Sequence, residues 1–166
     1  MISKKIILVG DFATGKTSLI RRFVDDQFSD SYLSTIGVKI SKKEIALDEV
    51  TIRGLIWDIE GSTPGKPVNR TYFTGAHGAI LVSDVTREET LVHIGDYIAM
   101  LKEKGLAIPR LLVLNKCDKI GESERNEVLR KAKSYYEGDI DAFFMTSAKT
   151  GEGVEDMFHT LAQKML

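Results

Sequence analysis

A single cysteine, Cys117, is the whole thiol content of the 166 residues. One thiol excludes an internal disulfide and suits a reducing compartment. Long apolar runs are missing as well, since no stretch approaches the ~18 residues that a bilayer-spanning helix needs. Met1-Ile2-Ser3-Lys4-Lys5 leads straight into a short apolar run, unlike a signal peptide. Gln163-Lys164-Met165-Leu166 carries no prenylation cysteine. Membrane attachment is therefore not encoded in this stretch. The expected location is cytoplasmic, with peripheral membrane association only through a further tail or a partner. Charge of one sign is lacking too: the net charge is -1 and no long block has one sign. That balance argues against nucleic acid as a partner. Repeats, low-complexity tracts and linkers are absent, so residues 1–166 are expected to form one domain. With 43% hydrophobic and 28% charged residues, it should bury a core without staples.

What is present begins at Gly10. Gly10-Asp11-Phe12-Ala13-Thr14-Gly15-Lys16-Thr17 is a complete GxxxxGK[ST] phosphate-binding loop. The apolar run Ile6-Ile7-Leu8-Val9 precedes it, and a helical pattern through Leu19, Ile20 and Phe23 follows. Glycines let successive N–H groups converge on phosphate oxygens at a helix N-terminus. Lys16 adds a point charge for the β and γ phosphates, and the Thr17 hydroxyl can ligate Mg²⁺.

Short apolar runs alternate with longer amphipathic segments along the chain, the pattern of a doubly wound α/β sheet. Strands are expected near 4–10, 37–47, 50–59, 77–84, 109–115 and 140–146, and helices near 16–25, 66–74, 88–104, 122–137 and 152–165. Ile6–Val9, Ala79–Val82 and Leu111–Leu114 are apolar almost throughout, as parallel strands covered on both faces should be. The segments 37–47 and 50–59 meet at Asp48-Glu49 with no room for a crossover helix, so they should pair as an antiparallel edge hairpin. Thr86-Arg87-Glu88-Glu89 reads as a capping box opening the third helix. Val154, Met157, Phe158, Leu161 and Met165 share one face of the last helix, as core.

Four further signals follow the loop in the order that one chemistry demands. Thr35, within Ser34-Thr35-Ile36-Gly37, can add a second hydroxyl to Mg²⁺ when a γ-phosphate is present. Leu55-Ile56-Trp57-Asp58 ends a strand, where Asp58 can hold the metal through water and the Gly61 N–H can meet the γ-phosphate. Asn115-Lys116-Cys117-Asp118 follows the Leu111–Leu114 strand. Asp118 can accept from the N1–H and 2-amino group of guanine, a donor pair that adenine lacks. Asn115 can tie this loop to the phosphate loop, and the Lys116 stem can cover the base. Thr146-Ser147-Ala148-Lys149 falls at the last strand end, where the Ala148 N–H can donate to guanine O6.

With GDxxxGKTSL, RFxDDxFxxSYxSTIGV, IWD, TYFxGAHG, NKCD and TSAKTG in sequence, the chain resembles the Ras superfamily of small GTPases over essentially its whole length, and its Rab branch most. The resemblance implies a P-loop NTPase (small G-protein) α/β fold: a six-stranded, mostly parallel sheet with one antiparallel edge hairpin and five helices. It implies that the backbone from Phe12 through Ala13, Thr14 and Gly15 to Lys16 holds the phosphates, with Thr17 and Ser18 following. Thr17 and Thr35 would ligate Mg²⁺, with Asp58 behind them. Phe28 would pack edge-on against the base, Tyr32 would close over the phosphates, and Asn115, Lys116, Asp118, Ser147, Ala148 and Lys149 would read and cover guanine. Lys16, Thr35 and Gly61 would serve hydrolysis, and the two switch regions would meet effector and regulatory proteins. Cys117 is expected as a buried, inert thiol.

The chain departs from its relatives where they read Asp-Thr-Ala-Gly-Gln. Here the span is Asp58-Ile59-Glu60-Gly61-Ser62, so Ser62 replaces the glutamine that orients water and is too short to do its job. Pro64, Gly65 and Pro67 follow, and prolines remove backbone donors and disfavour helix before them. Phe12 stands where a glycine or small residue is usual, crowding the γ-phosphate and the approach of an arginine finger. Glu60 is expected as a solvated carboxylate. Three functions remain open: a slowly hydrolysing GTP/GDP switch, a module holding GTP almost permanently, and an ATP-dependent phosphotransferase, which Asp118 disfavours.

Overall fold

The structure, a computed structural model, describes residues 1–31 and 34–166. The elements are β1 (Ile2–Gly10), α1 (Lys16–Asp25), β2 (Val38–Ala46), β3 (Thr51–Ile59), a 3₁₀ turn (Arg70–Phe73), β4 (Gly78–Asp84), α2 (Glu88–Val92), α3 (Ile94–Glu103), β5 (Arg110–Asn115), α4 (Glu122–Tyr136), β6 (Ala142–Met145) and α5 (Val154–Lys164). The six strands form one sheet in the order β2-β3-β1-β4-β5-β6. Among these six strands only β2 and β3 pair antiparallel, from Val38 opposite Ile59 to Ala46 opposite Thr51, which is the expected edge hairpin.

Alternation along each central strand feeds two core layers. Ile6 and Leu8 face one layer with Leu19, Phe23 and Phe158, while Ile7 and Val9 face the other with Ile94, Tyr97 and Leu101. All four β1 side chains are fully buried, as a parallel strand under two helical layers requires. Phe23 of α1 and Phe158 of α5 stack 4.0 Å apart and bind these helices together. The α5 face is core as expected, with Met157, Phe158 and Leu161 buried. Among the described residues no helix is long and apolar enough to cross a membrane.

Three local expectations fail, each for a visible reason. Instead of a helix at 66–74 there is a single 3₁₀ turn, Arg70–Phe73, entered through the Asn69 side chain, which accepts from the Thr71 N–H. Pro64, Gly65 and Pro67 stand immediately upstream and oppose helix there. The expected 88–104 helix is broken at His93 into α2 and α3. There the Tyr136 hydroxyl shares its proton between the carbonyls of Leu91 (2.7 Å) and Val92 (2.9 Å) and accepts from the Gly95 N–H (3.2 Å). A side chain inserted into the backbone ladder in this way kinks a helix. The capping box is not formed either. The Thr86 hydroxyl donates to Asp84 instead (2.7 Å), Arg87 becomes the N-cap residue, and no side chain caps the helix.

Candidate functional site

The carboxyl ends of the strands carry a cavity of about 280 Å³. The turn from β1 into α1 forms its floor. Gly15, at φ +98°, allows this turn, and a Cβ there would lie 2.3 Å from Asn115 Nδ2. A side chain is thus excluded both by conformation and by space. Lys16 folds back into the loop, its ammonium donating to the carbonyls of Gly10 (3.2 Å) and Asp11 (3.0 Å). Burial pushes its pKa down to about 8, against the pull of Asp58 and Asp11. A buried cation held by two neutral carbonyls and, at 3.4 Å, the Thr14 hydroxyl is suited to an anionic ligand.

Thr17, Thr35 and Asp58 converge on the cavity from α1, the segment before β2, and the end of β3. The two threonine hydroxyls are 2.6 Å apart, and Asp58 Oδ2 accepts from Thr17 at 2.6 Å and from Thr35 at 3.2 Å. The other carboxylate oxygen, Oδ1, is buried and has no hydrogen-bond partner among the described residues. Burial raises the Asp58 pKa, while the two threonines and Lys16 oppose the rise. Clustered hard oxygens, one of them lacking a partner, are the donor set that Mg²⁺ prefers.

On the far side, Asn115 Nδ2 donates to the Thr14 carbonyl at 3.0 Å, forming the tie between the two loops that the sequence suggests. The Thr146 hydroxyl donates to Asn115 Oδ1 (3.0 Å) and so fixes which way the amide faces. Lys116 Nζ donates to the Ala13 carbonyl (2.9 Å) and pairs with Asp84 at 2.8 Å. Burial alone would raise the Asp84 carboxyl, but Lys116 and Thr86 hold it below the usual carboxylate range. Ser147 is fully buried and donates to Asp118 Oδ1 at 2.7 Å. Arg22 of α1 reaches across to the carbonyls of Ala148 (2.8 Å) and Lys149 (2.7 Å), anchoring that loop. Cys117 is buried, which pushes its thiol up to about 11, as an inert cysteine should be.

Most of the expected residues therefore meet in one place. Phe12, Ala13, Gly15, Lys16, Thr17, Ser18, Phe28, Thr35, Asp58, Gly61, Asn115, Lys116, Asp118, Ala148 and Lys149 all line the cavity. Thr14 and Ser147 stand behind its wall, fully buried. Tyr32 lies outside the described residues.

Ser62 does not line the cavity. Its backbone carbonyl accepts from the Phe12 N–H at 3.0 Å, and its hydroxyl bonds the Tyr97 hydroxyl. Tyr97 gives its only proton to Asp11 (2.7 Å), so Ser62 is the donor in that pair. Burial, then Asp11, raises the Tyr97 pKa, which keeps the phenol a donor. Asp11 also meets His93 Nδ1 at 2.5 Å, and this raises the histidine pKa. Gly61 presses on the loop: a Cβ there would lie 2.6 Å from the Phe12 N and Cα. Glu60 is not a free carboxylate. Its Oε2 accepts from the Gly37 N–H (3.0 Å), its Oε1 from Lys66 (3.1 Å), and its own N–H donates to the Gly37 carbonyl (2.8 Å). Those contacts, the Gly37 N–H foremost, lower its pKa and tie the segment after β3 to the segment before β2.

Sequence reasoning missed Asp84, Arg22, Arg87 and Tyr97. None lies inside a phosphate- or base-reading motif, and only the Asp84 position, at a buried strand's carboxyl end, offered a signal.

The family model described as the Ras family matches residues 5–166. Ras-related protein Rab-13 from Mesocricetus auratus is 36% identical over 163 residues, spanning 98% of this chain and 79% of that protein. Ras-related protein Rab-1 from Theileria parva is 39% identical over 163 residues, spanning 97% of this chain and 73% of that protein. The phosphate loop, the cavity at the strand ends and these relatives agree: the chain belongs to the Ras family, as a Rab-like small GTPase.

Proposed function

We propose that this chain is a guanine-nucleotide switch that binds GTP and GDP with Mg²⁺ and hydrolyses GTP slowly. The observation that carries the reading is a contrast. Binding side chains line the cavity, while Ser62, at the water-orienting position, turns its hydroxyl into the protein toward Tyr97. Backbone N–H groups from Ala13 to Lys16 and the Lys16 ammonium take the phosphates, whereas the Phe12 N–H is already given to the Ser62 carbonyl. Asp118, held by Ser147, reads the guanine edge, Ala148 donates from its N–H, and Phe28, Lys116 and Lys149 cover the base. Mg²⁺ held by Thr17 and Thr35, with Asp58 behind them, would neutralise charge on the phosphates. Thr35 and Gly61 bring the two switch segments to the cavity, so their arrangement can report the nucleotide to effector and regulatory proteins.

The module that keeps GTP bound is the second reading. Glu60 closing on Gly37, and Phe12 pairing with Ser62, are contacts within the protein that hold both switch segments in one arrangement. Nucleotide extracted from freshly purified protein tests the proposal. Guanine nucleotide near one per chain is expected, with GTP a substantial share. Adenine nucleotide, or none, would overturn it. GTP that stays intact for days on the isolated protein would favour the second reading.

Metal dependence follows from the oxygen cluster. Chelation with EDTA is expected to accelerate GDP release, as followed with a fluorescent nucleotide. Asp58→Asn should weaken Mg²⁺ binding by about 10–100-fold, the usual cost of losing a partner behind the ligands. An EDTA-insensitive release rate would show that the cluster does not hold the metal.

A further inference from the structure

Three consecutive carbonyls of the phosphate loop are each held from outside by a side chain. Thr14 is held by Asn115 (3.0 Å), Ala13 by Lys116 (2.9 Å), and Phe12 by Arg87 Nη1 (2.8 Å). Asn115 and Lys116 belong to the base-reading motif. Arg87 lies outside the phosphate- and base-reading motifs and comes from the N-cap of α2, after β4. It nevertheless makes the same kind of contact, one peptide further upstream.

A trans peptide points its carbonyl and its N–H in opposite directions. Drawing the Phe12 carbonyl out to Arg87 therefore turns the Ala13 N–H the other way, and Phe12 and Ala13 both line the cavity. Ala13 has φ +63°, a left-handed conformation that an alanine holds only where its surroundings impose it. The guanidinium is placed by two carboxylates, with Nη1 3.9 Å from Asp84 and Nε 3.4 Å from Glu89. Asp84 is the same buried carboxylate that holds Lys116. One anion thus braces both cations that grip the Phe12 and Ala13 carbonyls.

We infer that Arg87 is a positioning residue for phosphate: through the Phe12 carbonyl it orients and polarises the Ala13 N–H toward the bound nucleotide, without touching the nucleotide itself. The inference rests on the reading that guanine nucleotide occupies the cavity. A guanidinium on one end of a peptide strengthens the donor at the other end, and it removes the cost of reorganising the loop at binding.

The test uses the full chain loaded with GDP or a non-hydrolysable GTP analogue. Arg87→Ala is expected to speed nucleotide release about ten-fold, as loss of a charge-assisted hydrogen bond implies. It should also shift the ³¹P resonance of a bound phosphate. Arg87→Lys should recover most of both effects, because an ammonium can still reach the carbonyl. Glu89→Ala removes one of the two carboxylates that place the arginine and leaves Asp84, so it should speed release by less than Arg87→Ala does. An unchanged release rate and ³¹P spectrum in Arg87→Ala would overturn the inference. So would faster release with an unmoved ³¹P resonance and no rescue by lysine, the mark of a purely structural residue. Wild-type protein that binds no GDP would instead overturn the reading of the cavity.

Discussion

Exchanging Asp118 for asparagine is expected to move the base preference from guanine to xanthine, with guanine affinity falling by at least about a hundred-fold. A carboxylate accepting from N1–H and the 2-amino group makes two charge-assisted hydrogen bonds, each worth about 1.5–3 kcal/mol. An asparagine keeps one acceptor and turns the other into an amine that faces the 2-amino group, donor against donor. Xanthine carries a 2-oxo group there, which accepts from that amine while N1–H still donates to the amide oxygen. Ser147 favours this outcome, since its hydroxyl fixes one side-chain oxygen at 2.7 Å and limits rotation of the new amide. Competition of GDP, XDP and ADP against a fluorescent guanine nucleotide measures the change. Wild type should reject ADP, because Asp118 would lose both donors. Undiminished guanine binding by Asp118→Asn would show that the base is read elsewhere.

The parts of this site that were legible in the sequence are those that the backbone makes unavoidable. Ile6–Val9 and Leu111–Leu114 are apolar almost throughout, and strands buried on both faces leave no other composition open to them. The loops that follow such strands must open at the same sheet edge, so the loops after β1, β3, β5 and β6 converge on one cavity. Contacts between side chains far apart in sequence were illegible, because no periodicity marks them. Nothing near Ser62 shows that its hydroxyl goes to Tyr97, 35 residues later. Nothing near Arg22 points to the carbonyls of Ala148 and Lys149. The capping box failed for a related reason. Asp84, two residues before Thr86, competes for its hydroxyl, and a local motif is only as good as its neighbours allow.

Hydrolysis is where this chain should differ most from its relatives. Catalysis of phosphoryl transfer is positioning plus charge stabilisation, so a missing water-orienting side chain raises the barrier and leaves the ground-state complex intact. Single turnover at or below about 3–5 × 10⁻⁴ s⁻¹ is expected, the rate of an unassisted small GTPase. Ser62→Gln alone should gain little. The backbone at Ser62 stays bound to Phe12, and the Phe12 side chain, 42% exposed at the cavity wall, takes the space that a glutamine would cross. Phe12→Gly alone clears the space but supplies no group to hold the water. The double variant should do both, raising the rate by about ten- to a hundred-fold, or about 1.4–2.7 kcal/mol of barrier. That gain should exceed the sum of the single effects in free energy, since the two residues touch through one backbone hydrogen bond. Stimulation by an arginine finger supplied from a partner should appear only in variants with glycine at position 12. Additive effects would show that Phe12 and the water occupy separate spaces. Rapid turnover by the wild type would mean that another group orients the water, and Glu60, which is spent on Gly37 and Lys66, would first have to leave both.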